Sequence, residues 1–170
     1  MPKVVIFGNS GSGKSTLANK YASLPEVKHL DLDTIAWKPD QPGVREELGN
    51  SLAKLELFIS ENQDWAIEGC YSSLISKAAD YADELIFLNP GISACQENCK
   101  NRPWEPHKYG SKKEQDKNLD MLLSWVADYE NRKDEFSLTA HLELFQKHEG
   151  KKVMIRSNAE AAAKSSQLNT

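Results

Sequence analysis

In Gly8-Asn9-Ser10-Gly11-Ser12-Gly13-Lys14-Ser15-Thr16, the chain carries the pattern GxxxxGK[ST]. The apolar run Val4-Val5-Ile6-Phe7 precedes this loop, and a helical pattern over 15–22 follows it. Strand, glycine-rich loop and helix form the context in which this pattern binds phosphate. Glycines let successive backbone N–H groups point into one concavity, and the start of the helix adds further N–H groups. The motif therefore predicts a phosphate cradle at residues 8–16 rather than a simple turn before a helix.

The last three side chains of the motif predict ATP and Mg²⁺ as the bound cofactors. Lys14 supplies a point charge that can reach the β- and γ-phosphates. Ser15 can place its hydroxyl on Mg²⁺, and Thr16 can donate a hydrogen bond to the α-phosphate. The expected cradle is thus one for a nucleoside triphosphate.

Composition narrows the classes of protein that the chain can represent. A length of 170 residues predicts a single domain over 1–170 with a substantial core. The formal net charge of −4 argues against direct binding to nucleic acid or to anionic membranes. No apolar stretch is long enough to span a bilayer, and the first strand follows Met1-Pro2-Lys3 directly. We therefore expect a cytoplasmic protein without a signal peptide. Its three cysteines, Cys70, Cys95 and Cys99, match neither a disulfide framework nor a zinc site.

Short apolar runs alternate with helical patterns along the rest of the chain. Further strands are predicted at 27–31, 65–69, 84–88 and 152–156. Helices are predicted at 44–61, 72–79, 93–101, 118–132 and 137–148, with a last helix after the fifth strand. This alternation predicts an α/β fold of three layers, in which about five parallel strands carry helices on both faces.

Acidic residues and a glycine follow two of the predicted strands. Asp31 and Asp33 end the second strand, while Glu68 and Gly69 end the third. Because ligands of parallel sheets bind at the carboxyl ends of strands, we expect these residues to face the phosphate cradle. Gly69 would let a ligand approach the backbone closely. The alternative is that these carboxylates are solvated strand ends or a helix cap.

A segment of different composition, 102–113, separates the fourth strand and its helix from the next helix. It contains two prolines, a glycine, basic residues and two aromatic residues without an apolar period. We interpret residues 102–117 as a mobile lid over the site, lined by Trp104, His107, Lys108 and Tyr109. Basic and aromatic residues in alternation also occur in proteins that bind single-stranded nucleic acid, but the acidic balance of the chain argues against this.

These motifs resemble those of the nucleoside-monophosphate-kinase and shikimate-kinase group of P-loop phosphotransferases. Within it, three segments look like the bacterial adenylate-kinase-related proteins labelled topology-modulation proteins. They are His29-Leu30-Asp31 with Trp37-Lys38-Pro39, Trp65-Ala66-Ile67-Glu68-Gly69-Cys70-Tyr71-Ser72, and Ala82-Asp83-Glu84-Leu85-Ile86-Phe87-Leu88. The resemblance covers about residues 3–157. It implies a P-loop kinase fold with a lid and a small-molecule phosphate acceptor.

The resemblance and the positions of single residues together suggest roles for them, with a solvated surface position as the alternative for the two arginines. Asp31 would order Mg²⁺ through water, Asp33 would orient or deprotonate an acceptor hydroxyl, and Glu68 would hold a metal-bound water or the acceptor. Arg102 would act as a lid arginine on the transferring phosphate, with Arg132 as a second candidate. Two further positions complete the expected site: Trp37 as a wall beside the acceptor or a packing residue, and Arg156-Ser157-Asn158 beside the adenine.

The chain departs from this group at the acceptor side. The segment Glu68-Gly69-Cys70-Tyr71 stands where the related proteins usually have Asp-Gly-Asn-Tyr, and the lid carries lysines where they have arginines. The signature that true adenylate kinases use for AMP is absent. We expect a nucleotide, a nucleoside or a shikimate-like or sugar-like hydroxyl as acceptor. A nucleotide-dependent regulatory protein with slow or no ATP hydrolysis is the alternative from another class.

Overall fold

The computed structural model describes residues 2–169, and within them the predicted α/β fold is confirmed. The strands are β1 (Lys3–Gly8), β2 (Lys28–Asp31), β3 (Trp65–Gly69), β4 (Glu84–Leu88) and β5 (Lys151–Ile155). The helices are α1 (Lys14–Ala22), α2 (Asp33–Ala36), α3 (Leu48–Glu61), α4 (Ser72–Ala79), α5 (Ile92–Lys100), α6 (Lys112–Asp116), α7 (Leu119–Ala127), α8 (Leu138–Lys147) and α9 (Asn158–Ser166). A 3₁₀ turn at Gln167–Asn169 follows α9.

The five strands of the described residues form one parallel sheet in the order β2-β3-β1-β4-β5. β1 lies at its centre, and the apolar residues of β1, β3 and β4 are buried on both faces of the sheet. Asp31 pairs in register with Glu68, and Phe7 pairs with Gly69. The first loop and the two acidic strand ends therefore meet at one edge of the sheet, as the sequence predicts.

The sheet separates two apolar cores. One face packs Phe7, Trp65 and Leu85 with α3, α4 and α8, and the other packs Ile6 and Ile86 with α1. These side chains are at most 1% exposed, so each contributes roughly 1.5–3 kcal/mol by leaving water. The two cores fix the strands and, with them, the positions of the loops at their carboxyl ends.

Several predicted helix bounds are wrong, for local reasons. The predicted 44–61 helix begins only at Leu48, because the preceding residues form an antiparallel bridge between Trp37 and Arg45. The helix predicted over 118–132 ends at Ala127, after which the chain turns so that the Tyr129 carbonyl can accept a hydrogen bond from the Leu138 N–H. A four-residue helix, α2, was not predicted at all.

Part of the segment predicted as a loop, 102–117, is helical. Ser111 caps α6 by accepting a hydrogen bond from the Glu114 N–H, which explains why this helix forms without an apolar period. The buried Gln115 side chain is hydrogen-bonded to the start of the lid. Its Nε2 donates to the Pro103 carbonyl, and its Oε1 accepts from the Glu105 N–H. The lid thus has internal structure, and its mobility stays a prediction.

The remaining expectations from composition concern membranes and thiols. Among residues 2–169, none of the helices combines the length and the apolar character that a membrane span requires.

Cys70, Cys95 and Cys99 are free and buried. Burial raises the pKa of Cys70 to about 12 and that of Cys95 to about 11, so both thiols are protonated in the folded protein.

Candidate functional site

The loop at residues 8–16 has the strained backbone that a phosphate cradle requires. Gly11 has φ +76° and Gly13 has φ +96°, a region that favours glycine. A Cβ on Gly11 would lie 2.3 Å from the carbonyl oxygen of Cys95, so this glycine also lets the loop pack against α5. The loop is closed by Lys14, whose Nζ donates to the Asn9 carbonyl at 2.7 Å. Lys14 is therefore held over the loop, close to where phosphates would lie.

A cleft of about 880 Å³ opens above this loop. It is large enough for a nucleotide together with a small acceptor. The residues of the expected site that line it are Ser10, Gly11, Ser12, Gly13, Lys14, Ser15, Thr16, Asp31, Asp33, Glu68, Gly69, Arg102, Trp104, His107, Lys108 and Asn158. Motifs that are distant in the sequence converge on this single cleft.

A cluster of oxygen donors surrounds the start of α1. Ser15 Oγ donates a hydrogen bond of 2.7 Å to Glu68 Oε1, and Glu68 is only 2% exposed. His29, for which the sequence suggests no role, has Nε2 3.4 Å from the same carboxylate oxygen. Hydroxyl and carboxylate oxygens are the ligands that Mg²⁺ prefers. Ser12 Oγ is buried and has no hydrogen-bond partner among residues 2–169, so its hydroxyl is available to a ligand in the loop. The side chains present therefore fit a Mg²⁺-nucleotide.

The two aspartates at the end of β2 lie side by side. Asp31 Oδ1 accepts a hydrogen bond of 2.9 Å from the Asp33 N–H, which fixes the turn into α2. Asp33 Oδ1 accepts a hydrogen bond from the Tyr71 hydroxyl, and Asp33 Oδ2 accepts one of 2.7 Å from Lys108 Nζ. Burial opposes ionisation of Asp33, but Lys108 and Tyr71 outweigh it and hold its pKa below the ordinary value. Asp33 is thus an oriented carboxylate.

An aromatic wall stands behind Asp33, and the residue that contacts the carboxylate is Tyr71, for which the sequence suggests no role. The Tyr71 hydroxyl also accepts a hydrogen bond of 2.9 Å from Trp37 Nε1, and burial raises the pKa of Tyr71 far above its usual range. The Arg45 guanidinium lies 4.8 Å from the centre of the Tyr71 ring and 5.5 Å from that of Trp37. Trp37 does not line the cleft. Its observed contact is with Tyr71, so it supports the wall from outside.

The two candidate arginines lie in different environments. Arg102 lines the cleft at the start of the lid, with Nη1 3.6 Å from Glu105 Oε2. Arg132 does not line it: its guanidinium stacks on Trp125 at 3.7 Å, and Nη1 donates to the Trp125 carbonyl. The early end of α7 directs Arg132 to this position, since a helix continued to residue 132 would present it differently. The structure therefore brings Arg102, but not Arg132, to the other predicted site residues.

Asparagines form the opposite edge of the cleft, beside α9. Asn98 Nδ2 donates to the Gly11 carbonyl at 2.8 Å, and Asn158 Nδ2 donates to Asn98 Oδ1 at 3.0 Å. Of the segment 156–158 predicted beside the adenine, Asn158 lines the cleft. Asn98 was missed because an asparagine in the middle of a predicted helix gives no sequence signal.

A buried histidine links α8 to the backbone beside the site. His141 is fully buried, and its Nε2–H donates to the Cys70 carbonyl at 2.8 Å. Its Nδ1 accepts a hydrogen bond of 2.6 Å from the Tyr129 hydroxyl. Burial lowers the pKa of His141 to about 4, so the ring is neutral. It holds the chain that follows Gly69 in place.

Comparisons with known proteins support the fold. No protein-family model and no curated protein sequence matches the chain. Among solved structures, shikimate kinase from Acinetobacter baumannii in complex with shikimate superposes with a TM-score of 0.57 at 16% identity, covering 99% of this chain and 92% of that one. A gluconokinase from Sinorhizobium meliloti 1021 gives 0.53 at 17% identity, with 97% and 91% covered. An unliganded sugar kinase from Janibacter sp. HTCC2649 gives 0.50 at 11% identity, with 97% and 88% covered. At these identities the likeness shows that the chain shares the fold of these structures.

Proposed function

We propose that the protein is an ATP- and Mg²⁺-dependent phosphotransferase that acts on a small molecule. The observation that carries the proposal is that the glycine-rich loop and the carboxylates of Asp31, Asp33 and Glu68 line one cleft. Phosphoryl transfer requires charge neutralisation and in-line positioning more than covalent chemistry. A cradle for polyphosphate beside oriented carboxylates supplies both requirements. The acceptor would be a nucleotide, a nucleoside or a shikimate-like or sugar-like hydroxyl compound.

Residues 8–16 would bind the phosphates of ATP. The backbone N–H groups of the loop and of the first turn of α1 would donate to phosphate oxygens, and Lys14, which now donates to the Asn9 carbonyl, would donate to the β- and γ-phosphates instead. Ser15 and Asp31 would hold the metal, Ser15 directly and Asp31 through water. When bound, Mg²⁺·ATP supplies the phosphoryl group and neutralises its charge.

Asp33 would bind the acceptor. Because its pKa is held low, its carboxylate is ionised at neutral pH and can accept a hydrogen bond from an acceptor hydroxyl. Tyr71 fixes the direction of this carboxylate from one side. Glu68 and Gly69 form the adjacent wall, and Trp37 acts through Tyr71.

The lid, residues 102–117, would close over the transferring group. Arg102 would spread its guanidinium over the phosphate oxygens, and closure would exclude water as a competing acceptor. Arg132 can take part only if it leaves Trp125, so we keep it as the second candidate. We further propose that the protein belongs to the topology-modulation subgroup of adenylate-kinase-related proteins and is cytoplasmic. The three sequence segments quoted above support that subgroup.

Acceptor-stimulated turnover tests the proposal. ATP consumption is measured alone and with a panel of nucleosides, nucleotides, sugars and shikimate-like acids, and the phosphorylated product is identified by mass spectrometry. We expect one class of acceptor to stimulate turnover, and Asp33→Asn to remove the stimulation while ATP binding persists. Slow hydrolysis that no acceptor stimulates and that Asp33→Asn leaves unchanged would instead support a nucleotide-dependent regulatory protein.

A further inference from the structure

A lysine of the lid occupies the space between the two aspartates of the candidate site. Lys108 Nζ lies 2.9 Å from Asp31 Oδ2 and 2.7 Å from Asp33 Oδ2. Glu105 Oε1 stands 3.9 Å away, and His107 Nε2 lies 3.4 Å from the same Asp31 oxygen. One ammonium group thus bridges the carboxylate assigned to the metal and the carboxylate assigned to the acceptor.

We propose that Lys108 is a resident cation that the metal-nucleotide displaces, and that this exchange couples metal loading to release of the lid from the end of β2, before the lid closes over the transferring group. The proposal rests on the proposed function, because it takes Asp31 as part of the magnesium shell. It adds a role for a residue outside the phosphate loop and outside the candidate arginines.

The contact differs from an ordinary surface ion pair. The Asp31 side chain is 8% exposed and that of Lys108 is 20% exposed, so solvent and salt screen their attraction weakly. Burial alone would lower the pKa of Lys108, yet the two aspartates raise it well above its ordinary value. The lysine is therefore fully charged, and its departure would leave two neighbouring carboxylates without this partner.

Hydrogen bonds within the lid position Lys108 beside the aspartates. Its Lys108 and Tyr109 N–H groups both donate to the Glu105 carbonyl, forming a tight turn, and the Glu105 N–H is anchored to Gln115. The turn and its anchor fix the backbone at residue 108 over the end of β2. Detaching Lys108 from the aspartates therefore frees a structured segment, not a single side chain.

The metal and the lysine cannot use Asp31 together at full strength. Both are cations attracted by the Asp31 carboxylate, Lys108 by direct contact and the metal through water, and they repel each other when both are close to it. The metal ion itself would carry twice the charge of the Lys108 ammonium group, and the phosphate loop would hold it in place beside Asp31. The occupied site therefore favours the metal, and the lid lysine becomes free to move.

The first arm of the test uses the free protein without metal or nucleotide. Chymotrypsin cleaves after aromatic residues, and the lid offers Trp104 and Tyr109. We expect Lys108→Met to speed cleavage in the lid about tenfold, since a charge-assisted contact of this kind is lost. Lys112→Met is the matched control, because Lys112 lies in the lid and pairs with Asp116. Equal cleavage rates in the two variants would overturn the proposal that Lys108 holds the lid against the aspartates.

The second arm measures the exchange with Mn²⁺·ADP, counting free Mn²⁺ by electron paramagnetic resonance. We expect Lys108→Met to bind Mn²⁺·ADP about tenfold more tightly than the wild type, with Lys112→Met unchanged. Unchanged or weaker binding by Lys108→Met would overturn the proposal while leaving the proposed function intact. A wild-type protein that binds no Mn²⁺·ADP would overturn the proposed function itself, and the displacement with it.

Discussion

Replacing Gly11 by alanine would destabilise the fold in two ways, through an unfavourable backbone conformation and through a steric clash. Comparison with the same replacement at Gly43 separates these two effects. Gly11 has φ +76° and Gly43 has φ +77°, so an alanine meets the same unfavourable backbone at either site. A Cβ at Gly43 would meet nothing within 4 Å, whereas at Gly11 it would lie 2.3 Å from the Cys95 carbonyl oxygen and 2.6 Å from Cys99 Sγ. Gly43→Ala therefore measures the backbone cost alone, about 1 kcal/mol. Gly11→Ala adds the cost of overpacking, about 1–3 kcal/mol.

Urea unfolding followed by circular dichroism measures this difference. We expect the free energy of unfolding to fall by about 1 kcal/mol in Gly43→Ala and by about 2–4 kcal/mol in Gly11→Ala. With a slope of about 2 kcal/mol per molar urea, the midpoint of Gly11→Ala drops by about 1–2 M. Equal midpoints for the two variants would refute the close packing of the loop against α5 and, with it, the shape of the cradle.

Three further predictions concern the groups around the site. Burial lowers the pKa of His141 to about 4 in the folded protein, whereas it is near 6.5 in the unfolded chain. Between these two pH values the imidazole is protonated in the unfolded chain but neutral in the folded protein, so acid favours unfolding. The contribution of His141 should therefore lower the free energy of unfolding by about 3 kcal/mol from pH 7 to pH 4, as measured by urea unfolding at each pH. In His141→Gln the fall over the same pH range should be smaller. Tyr71→Phe removes a hydrogen bond to a carboxylate and should cost about 2 kcal/mol by the same assay, whereas the exposed Tyr81→Phe should stay within about 0.5 kcal/mol. The buried thiols of Cys70 and Cys95, with pKa about 12 and about 11, should react with an aromatic disulfide reagent only in denaturant; rapid reaction of the native protein would contradict their burial.

The features that the sequence predicts well are local or strongly periodic. The glycine-rich loop can be predicted from the sequence because its backbone geometry requires glycine at fixed positions. The central strands are predicted because strands buried on both faces are continuous apolar runs, as at 85–88. Once the sheet is parallel, the meeting of Asp31 and Glu68 at one edge follows from topology alone.

The features that the sequence does not predict depend on contacts between distant residues. Lys108 meets Asp33 across 75 positions, and no local pattern records that pairing. Tyr71 and Trp37 are joined by one hydrogen bond whose partners lie 34 positions apart. Arg132 lies away from the cleft because α7 ends five residues before the predicted bound, and its guanidinium stacks on Trp125. Its role in the site stays a proposal.

The binding of a Mg²⁺-nucleotide tests the central claim most directly. Isothermal titration with the Mg²⁺ complex of a non-hydrolysable ATP analogue compares the wild type with Lys14→Met and with Lys20→Met, a lysine in the last turn of the same helix. We expect the wild type and Lys20→Met to bind alike and Lys14→Met to lose about tenfold or more in affinity, as for a charged contact to phosphate. Equal affinity in all three proteins, or no binding by the wild type, would contradict the account.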